Sequence, residues 1–193
     1  MKFLQYLFIS LSHNILKILP YTLIRILSVP IGILYFLLTF RSSVKLFKRR
    51  KIFKKLKINY KPLIVKINYT RYWLETLWLT NKNFSKHISP HVEIENQEYV
   101  QKLKKQYPGL IFALPHLGNW EFAIPIGNSI KLNLLAVAEP LNNSYVLNWF
   151  KSLRESLGIE IIIGGKGQNT FDLLVNKLKS GKDICLLSER SIK

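Results

Sequence analysis

Residues 109–122 read GLIFALPHLGNWEF, and this stretch decides the fold. Its apolar run 110–114 is bounded by Gly109 and Pro115, the pattern of a short strand buried on both faces of a sheet. His116 follows the strand, Gly118 permits a turn, and a helix is expected to begin near Asn119. The same alternation continues downstream. Residues 132–138 read as a second strand, 144–157 as a helix closed by Gly158, and 159–163 as a third strand. Gly164, Gly165 and Gly167 form a loop, residues 170–179 a helix with Asn169 as N-cap and Gly181 past its end, and 183–188 a fourth strand. Short apolar strands alternating with helices predict an α/β fold with a mostly parallel sheet flanked by helices.

In such sheets, ligands and reacting groups gather beyond the carboxyl ends of the strands. The first strand delivers His116 and Glu121 there, the second Glu139, and the fourth Glu189 and Arg190. A neutral imidazole accepts a proton from an alcohol near neutral pH, best when a carboxylate holds its other ring N–H. Glu121 and Glu189 are equally eligible for that task from the sequence. The single cysteine, Cys185, sits mid-strand among apolar neighbours, where a buried thiol is inert. No G-x-S-x-G elbow occurs, and the glycine loop lacks a phosphate-loop ending. With no covalent nucleophile in view, direct attack of a bound hydroxyl on an activated acyl group is the simplest chemistry. A metal held by His116 and Glu121 is a poorer reading, because two ligands make an incomplete site; no metal site is expected.

Across its 193 residues the chain is 48% hydrophobic and 12% aromatic, which excludes a disordered protein. One cysteine excludes a disulfide framework. The formal net charge of +18 calls for an anionic partner, and it is concentrated in one half. Residues 1–91 carry 17 Lys/Arg against one acid, Glu75, whereas 92–193 carry 12 against 10.

That cationic half is also strongly apolar at its start. Phe3, Leu4, Leu7, Phe8, Leu11 and Ile15 recur at helical spacing, predicting an amphipathic helix that ends at Pro20. Residues 26–40 run without a charge, interrupted by Pro30 and Gly32, for about 22 Å as a helix, short of a hydrocarbon core of about 30 Å. Reading back through Arg25 would lengthen the segment enough to span. A basic run then extends from Arg41 to Lys61 with no acid in it. Apolar and basic blocks side by side attract anionic head groups, so residues 1–61 read as a membrane-associating segment and 62–193 as the α/β domain. If the segment spans, its cations place the α/β domain on the cytoplasmic side. Nucleic acid is not an expected partner, because no binding motif accompanies the charge. The stretch 69–79 reads as a helix packing Tyr69, Trp73, Leu74, Leu77 and Trp78 on one face. His87 and His91 flank Pro90 in a polar link, where Pro90 argues against a helical metal pair.

The segment from Leu114 to Glu121 resembles the H-x-x-x-x-[DE] motif of glycerolipid acyltransferases. Together with 71–75 (RYWLE), Ala138-Glu139, 154–158 (RESLG) and 185–190 (CLLSER), it resembles the bacterial lipid A biosynthesis acyltransferase superfamily, closest to its phosphatidylinositol mannoside branch. The resemblance implies transfer of a fatty acyl chain from acyl-CoA, a donor substrate and not a resident cofactor, to a sugar hydroxyl of a membrane glycolipid. It makes His116 the base, with Glu121 shaping the site and orienting His116, and Glu189 completing a charge relay. Arg154, Glu139, Asn119 and Arg190 would bind substrate, Arg154 by pairing with a carboxylate or a carrier phosphate. The implied location is the cytoplasmic face of the plasma membrane, with anionic lipids, acyl-CoA and the glycolipid acceptor as partners. Lipid A-type acylation from acyl carrier protein, and a non-catalytic remnant that binds anionic membranes, are the alternatives. Two departures stand out. Pro140 follows Glu139 where the mannoside branch has arginine, and family chains continue past Lys193, so this one is expected to be C-terminally truncated.

Overall fold

A computed structural model describes residues 1–39, 54–55, 57, 61–165 and 169–187. The chain forms two compact units, residues 12–79 and residues 1–11 together with 80–193. Most of the basic run 41–61 lies outside the described residues.

The helical unit is built on α2 (Tyr21–Leu38) and α3 (Pro62–Trp78), preceded by the end of α1 (Lys2–Leu16). Pro20 stops the chain between α1 and α2, and Pro62 starts α3 at a position where a missing N–H is harmless. The two long helices run antiparallel. The Tyr21 hydroxyl donates to Glu75 Oε1 at 3.0 Å at one end, and the Tyr35 and Tyr69 rings stack at 6.2 Å toward the other. Between them α2 buries the stripe Ile24, Ser28, Gly32. A Cβ on Gly32 would stand 2.7 Å from Ile67 Cα, so only glycine permits this approach. Pro30, an expected interruption, lies inside a continuous helix. α2 is long and apolar enough to cross a membrane, with mean hydropathy 1.9 and 17% of it buried. On α3, Leu77 and Trp78 are buried as expected, but Tyr69 is exposed, and Glu75 and Thr76 are buried beside them.

The second unit is the α/β part. After α4 (Asn81–His87), the link expected around Pro90 is a 3₁₀ turn, Ser89–His91, with Pro90 near its start. Then come α5 (Gln97–Gln106), β1 (Ile111–Leu114), a 3₁₀ turn Trp120–Phe122, α6 (Ala123–Ser129), β2 (Leu134–Ala138), α7 (Ser144–Leu157), β3 (Glu160–Ile163), α8 (Thr170–Lys179) and β4 (Asp183–Leu187). The four strands form one all-parallel sheet in the order β1-β4-β2-β3. The mostly parallel α/β architecture is therefore as expected. One detail differs: β1 is an edge strand among the described residues, and Ile111 is 58% exposed instead of covered on both faces. Its pairing falls to β4, and an apolar run does not disclose how many neighbours a strand has.

The sheet's core is Leu134 and Leu135 of β2, Ile161 of β3 and Ile184 of β4, with Phe150, Leu153 and Leu157 of α7 buried in the same unit. The amino ends of the strands are tied by Asp183, which is fully buried. Its carboxylate accepts from Lys104 Nζ at 2.8 and 3.0 Å, from Leu110 N at 3.0 Å and from Asn133 N at 2.8 Å. A buried carboxylate is tolerated where cation and amide donors replace its water, and here those donors precede β1 and β2.

Candidate active site

The site is assembled where β1 ends. Leu117 N donates to Pro115 O at 2.8 Å, closing a tight turn around His116, and Gly118 comes next at φ +60° with open space where a Cβ would stand. Asn119 then caps the 3₁₀ turn, its Oδ1 accepting from Glu121 N at 3.2 Å. This cap turns Glu121 inward to 1% exposure, while His116 stays exposed at the carboxyl edge of the sheet.

A carboxylate so buried needs a partner, and α7 supplies it. Arg154 donates from Nε to both oxygens of Glu121, at 3.2 and 3.1 Å, and from Nη2 to Oε1 at 2.7 Å. The guanidinium also lies over the Trp120 ring, 4.7 Å from its centroid, and 5.6 Å from that of Phe150. The Trp120 ring meets the His116 imidazole edge-to-face, with centroids 6.4 Å apart and planes at 78°. His116, Trp120, Arg154 and Glu121 thus form one continuous set of contacts.

Of the residues singled out in the sequence, the structure brings His116, Asn119, Glu121 and Arg154 together. Of the two partners open to Arg154, it pairs with a carboxylate, that of Glu121. Both oxygens of Glu121 are engaged by that cation. Glu139 is exposed one residue beyond β2, at the same edge of the sheet. Glu189 and Arg190 lie outside the described residues. Trp120, the ring that links imidazole to guanidinium, is not among the residues singled out; its place within the His116–Glu121 segment is the signal that could have found it. Cys185 is half-buried, and burial, aided by Asp183, pushes its thiol up to about 11, as an inert cysteine requires.

Over residues 2–193 the chain matches the family described as bacterial lipid A biosynthesis acyltransferase. It is also similar to two proteins named phosphatidylinositol mannoside acyltransferase. The one from Mycolicibacterium smegmatis is 29% identical over 129 residues, 65% of this chain and 41% of that protein. The one from Mycobacterium tuberculosis is 29% identical over 128 residues, 65% of this chain and 40% of that protein. The chain therefore matches about two-fifths of the length of these curated relatives.

Proposed function

The chain belongs to the bacterial lipid A biosynthesis acyltransferase family, and from that premise we propose that it is a membrane-bound acyltransferase. In this reading it moves a fatty acyl chain from acyl-CoA to a sugar hydroxyl of a glycolipid of the phosphatidylinositol mannoside type. The observation that carries the proposal is the exposed imidazole of His116 at the carboxyl end of β1, braced by Trp120 over the Arg154–Glu121 pair.

The acceptor hydroxyl attacks the thioester carbonyl as His116 takes its proton; collapse of the tetrahedral adduct breaks the C–S bond, and the departing thiolate recovers that proton. Arg154 and Glu121 hold the ring plane of Trp120, and Trp120 holds the imidazole. The residues Asn119 and Glu139 border the same edge and take part in binding substrate. Glu189 and Arg190 belong to the sequence just beyond β4, and in this reading Glu189 receives the second ring N–H of His116. The mannoside acceptor is supported by the names of the two relatives, and α2 with the basic run after it supports a seat on the cytoplasmic face of the plasma membrane.

The test is acyl transfer from a labelled thioester to a panel of glycolipid acceptors, comparing the wild type with His116→Ala. Loss of transfer in the variant, with its folding intact, is the expected result; equal rates overturn the role of His116. The family's description favours a second reading, lipid A-type acylation from acyl carrier protein. Turnover of a lipid A precursor but of no mannoside would select it.

A further inference from the structure

The carboxyl edge of the sheet carries more than the site. After three of the strands, a large apolar side chain at this edge is turned to solvent: Leu117 after β1 is 75% exposed, Leu141 after β2 is also exposed, and Phe171 at the start of α8, after β3, is 74% exposed. The first turns of α1 join them. Asn143, which caps α7 at this edge, donates through Nδ2 to Lys2 O and to Gln5 Oε1, both at 2.9 Å. The rings of Phe3 and Tyr6 lie against Tyr145, with centroids 5.8 and 6.1 Å away. Docked in this way, α1 leaves Leu4 at 65% and Phe8 at 71% exposure. The amino edge also exposes Ile111 and Tyr107, but it carries in addition the ion pairs of Asp183 with Lys104 and of Glu160 with Lys177 and Lys182.

We propose that Leu4, Phe8, Leu117, Leu141 and Phe171 form an apolar collar around the His116 site that dips into an anionic bilayer, so that the sheet meets the membrane carboxyl edge first. This deepens the membrane contact proposed above and rests on it, but not on the acyl-transfer chemistry. Large apolar side chains gathered on one edge mark a surface that leaves water. Charge selects the occupant. Lys2 sits on the docked first turn, and the unit that carries the collar, residues 1–11 with 80–193, holds 15 Lys/Arg against 10 Asp/Glu. Such a surface attracts anionic head groups, whereas a second copy of the chain would set like charges against each other. The geometry also brings a lipid-borne hydroxyl to His116 without lifting its acyl chains through water.

The experiment places an environment-sensitive fluorophore, one position at a time, on the full chain carrying Leu117→Cys, Leu141→Cys or Phe171→Cys. Ser129→Cys and Lys105→Cys serve as amino-edge controls, all in a Cys185→Ser background. Vesicles of phosphatidylcholine with phosphatidylglycerol are added, with and without lipids bearing quenchers on their acyl chains. The collar labels should shift to the blue and be quenched severalfold more strongly than the controls. Vesicle binding with all five labels quenched alike, or with only the controls quenched, overturns the collar while leaving membrane contact standing. Failure to bind vesicles at all overturns both. Blue-shifted collar labels in the absence of lipid, accompanied by a dimer in sedimentation, would assign this edge to a second copy and overturn the lipid assignment.

Discussion

Arg154 and Glu121, from different elements of the sheet unit, meet through three hydrogen bonds of 2.7 to 3.2 Å, with the guanidinium laid over Trp120. The pair is both the foundation of the site and a point of structural risk. A buried ion pair costs desolvation that its own attraction roughly returns, but one partner left alone has nothing to offset that cost. Arg154→Ala should therefore destabilise the protein by about 3–5 kcal/mol in denaturant unfolding. The double variant Glu121→Leu/Arg154→Met should lose far less. A double variant as unstable as the single one would show that the pair itself, not the orphaned carboxylate, dominates.

Trp120 is a positioning residue in this arrangement, because it touches the imidazole and the cation without a titratable group of its own. Trp120→Leu should lower kcat by roughly ten- to a hundredfold with little change in KM, the signature of a misplaced base. Trp120→Phe, which keeps an aromatic face, should restore most of the rate. Steady-state kinetics of the three proteins decide this, and a loss confined to KM would assign Trp120 to substrate binding instead.

Gly32 tests the helical unit. A methyl there must displace the backbone of α3 at Ile67, so Gly32→Ala should cost about 1–3 kcal/mol despite the better helix propensity of alanine. The measurement is a thermal melt in detergent. A stabilised variant would mean that α2 and α3 separate at no cost.

Acid sensitivity should trace in part to Glu160. Hydrogen bonds from Lys177 and then Lys182 hold its carboxyl below the usual carboxylate range. A depressed folded-state value means that the unfolded chain takes up the proton first as pH falls. The contribution is complete above the unfolded value of about 4.3 and is lost as pH drops through the folded one. Glu160→Gln should flatten the stability profile in that window and leave the slope above it unchanged, as urea titrations across the acid range would register.

Cys185 should resist alkylation at neutral pH, since its thiol is raised to about 11 and half-buried. Iodoacetamide labelling and mass spectrometry should give modification only after denaturant is added. Rapid labelling of the native chain would contradict the burial of β4.

The alternation of apolar runs and capped helices is enough to read out the four strands and the end of β1 that presents His116. The caps are legible because Asn119, Asn169 and Gly158 act on residues within one turn of themselves. Pairing across long separations is not. Nothing local in Asp183 announces that it will collect Lys104, Leu110 and Asn133, and nothing in Glu121 specifies Arg154 as the partner of both its oxygens. Glu75 is similarly hidden: an acid on a helix among cations reads as surface, yet it is buried and receives the Tyr21 hydroxyl. The exposure of β1 is illegible because an apolar run has the same composition at the edge of a sheet as in its middle.

The strand order carries a consequence for biosynthesis. β4, the last of the four to leave the ribosome, is the one that hydrogen-bonds to both β1 and β2. Until it emerges, β1 has no ladder to join among the described residues, and Leu110 must wait for Asp183, 73 residues later. A nascent chain stalled before that point would display an unpaired greasy ribbon, the kind of segment that chaperones of the exit tunnel capture.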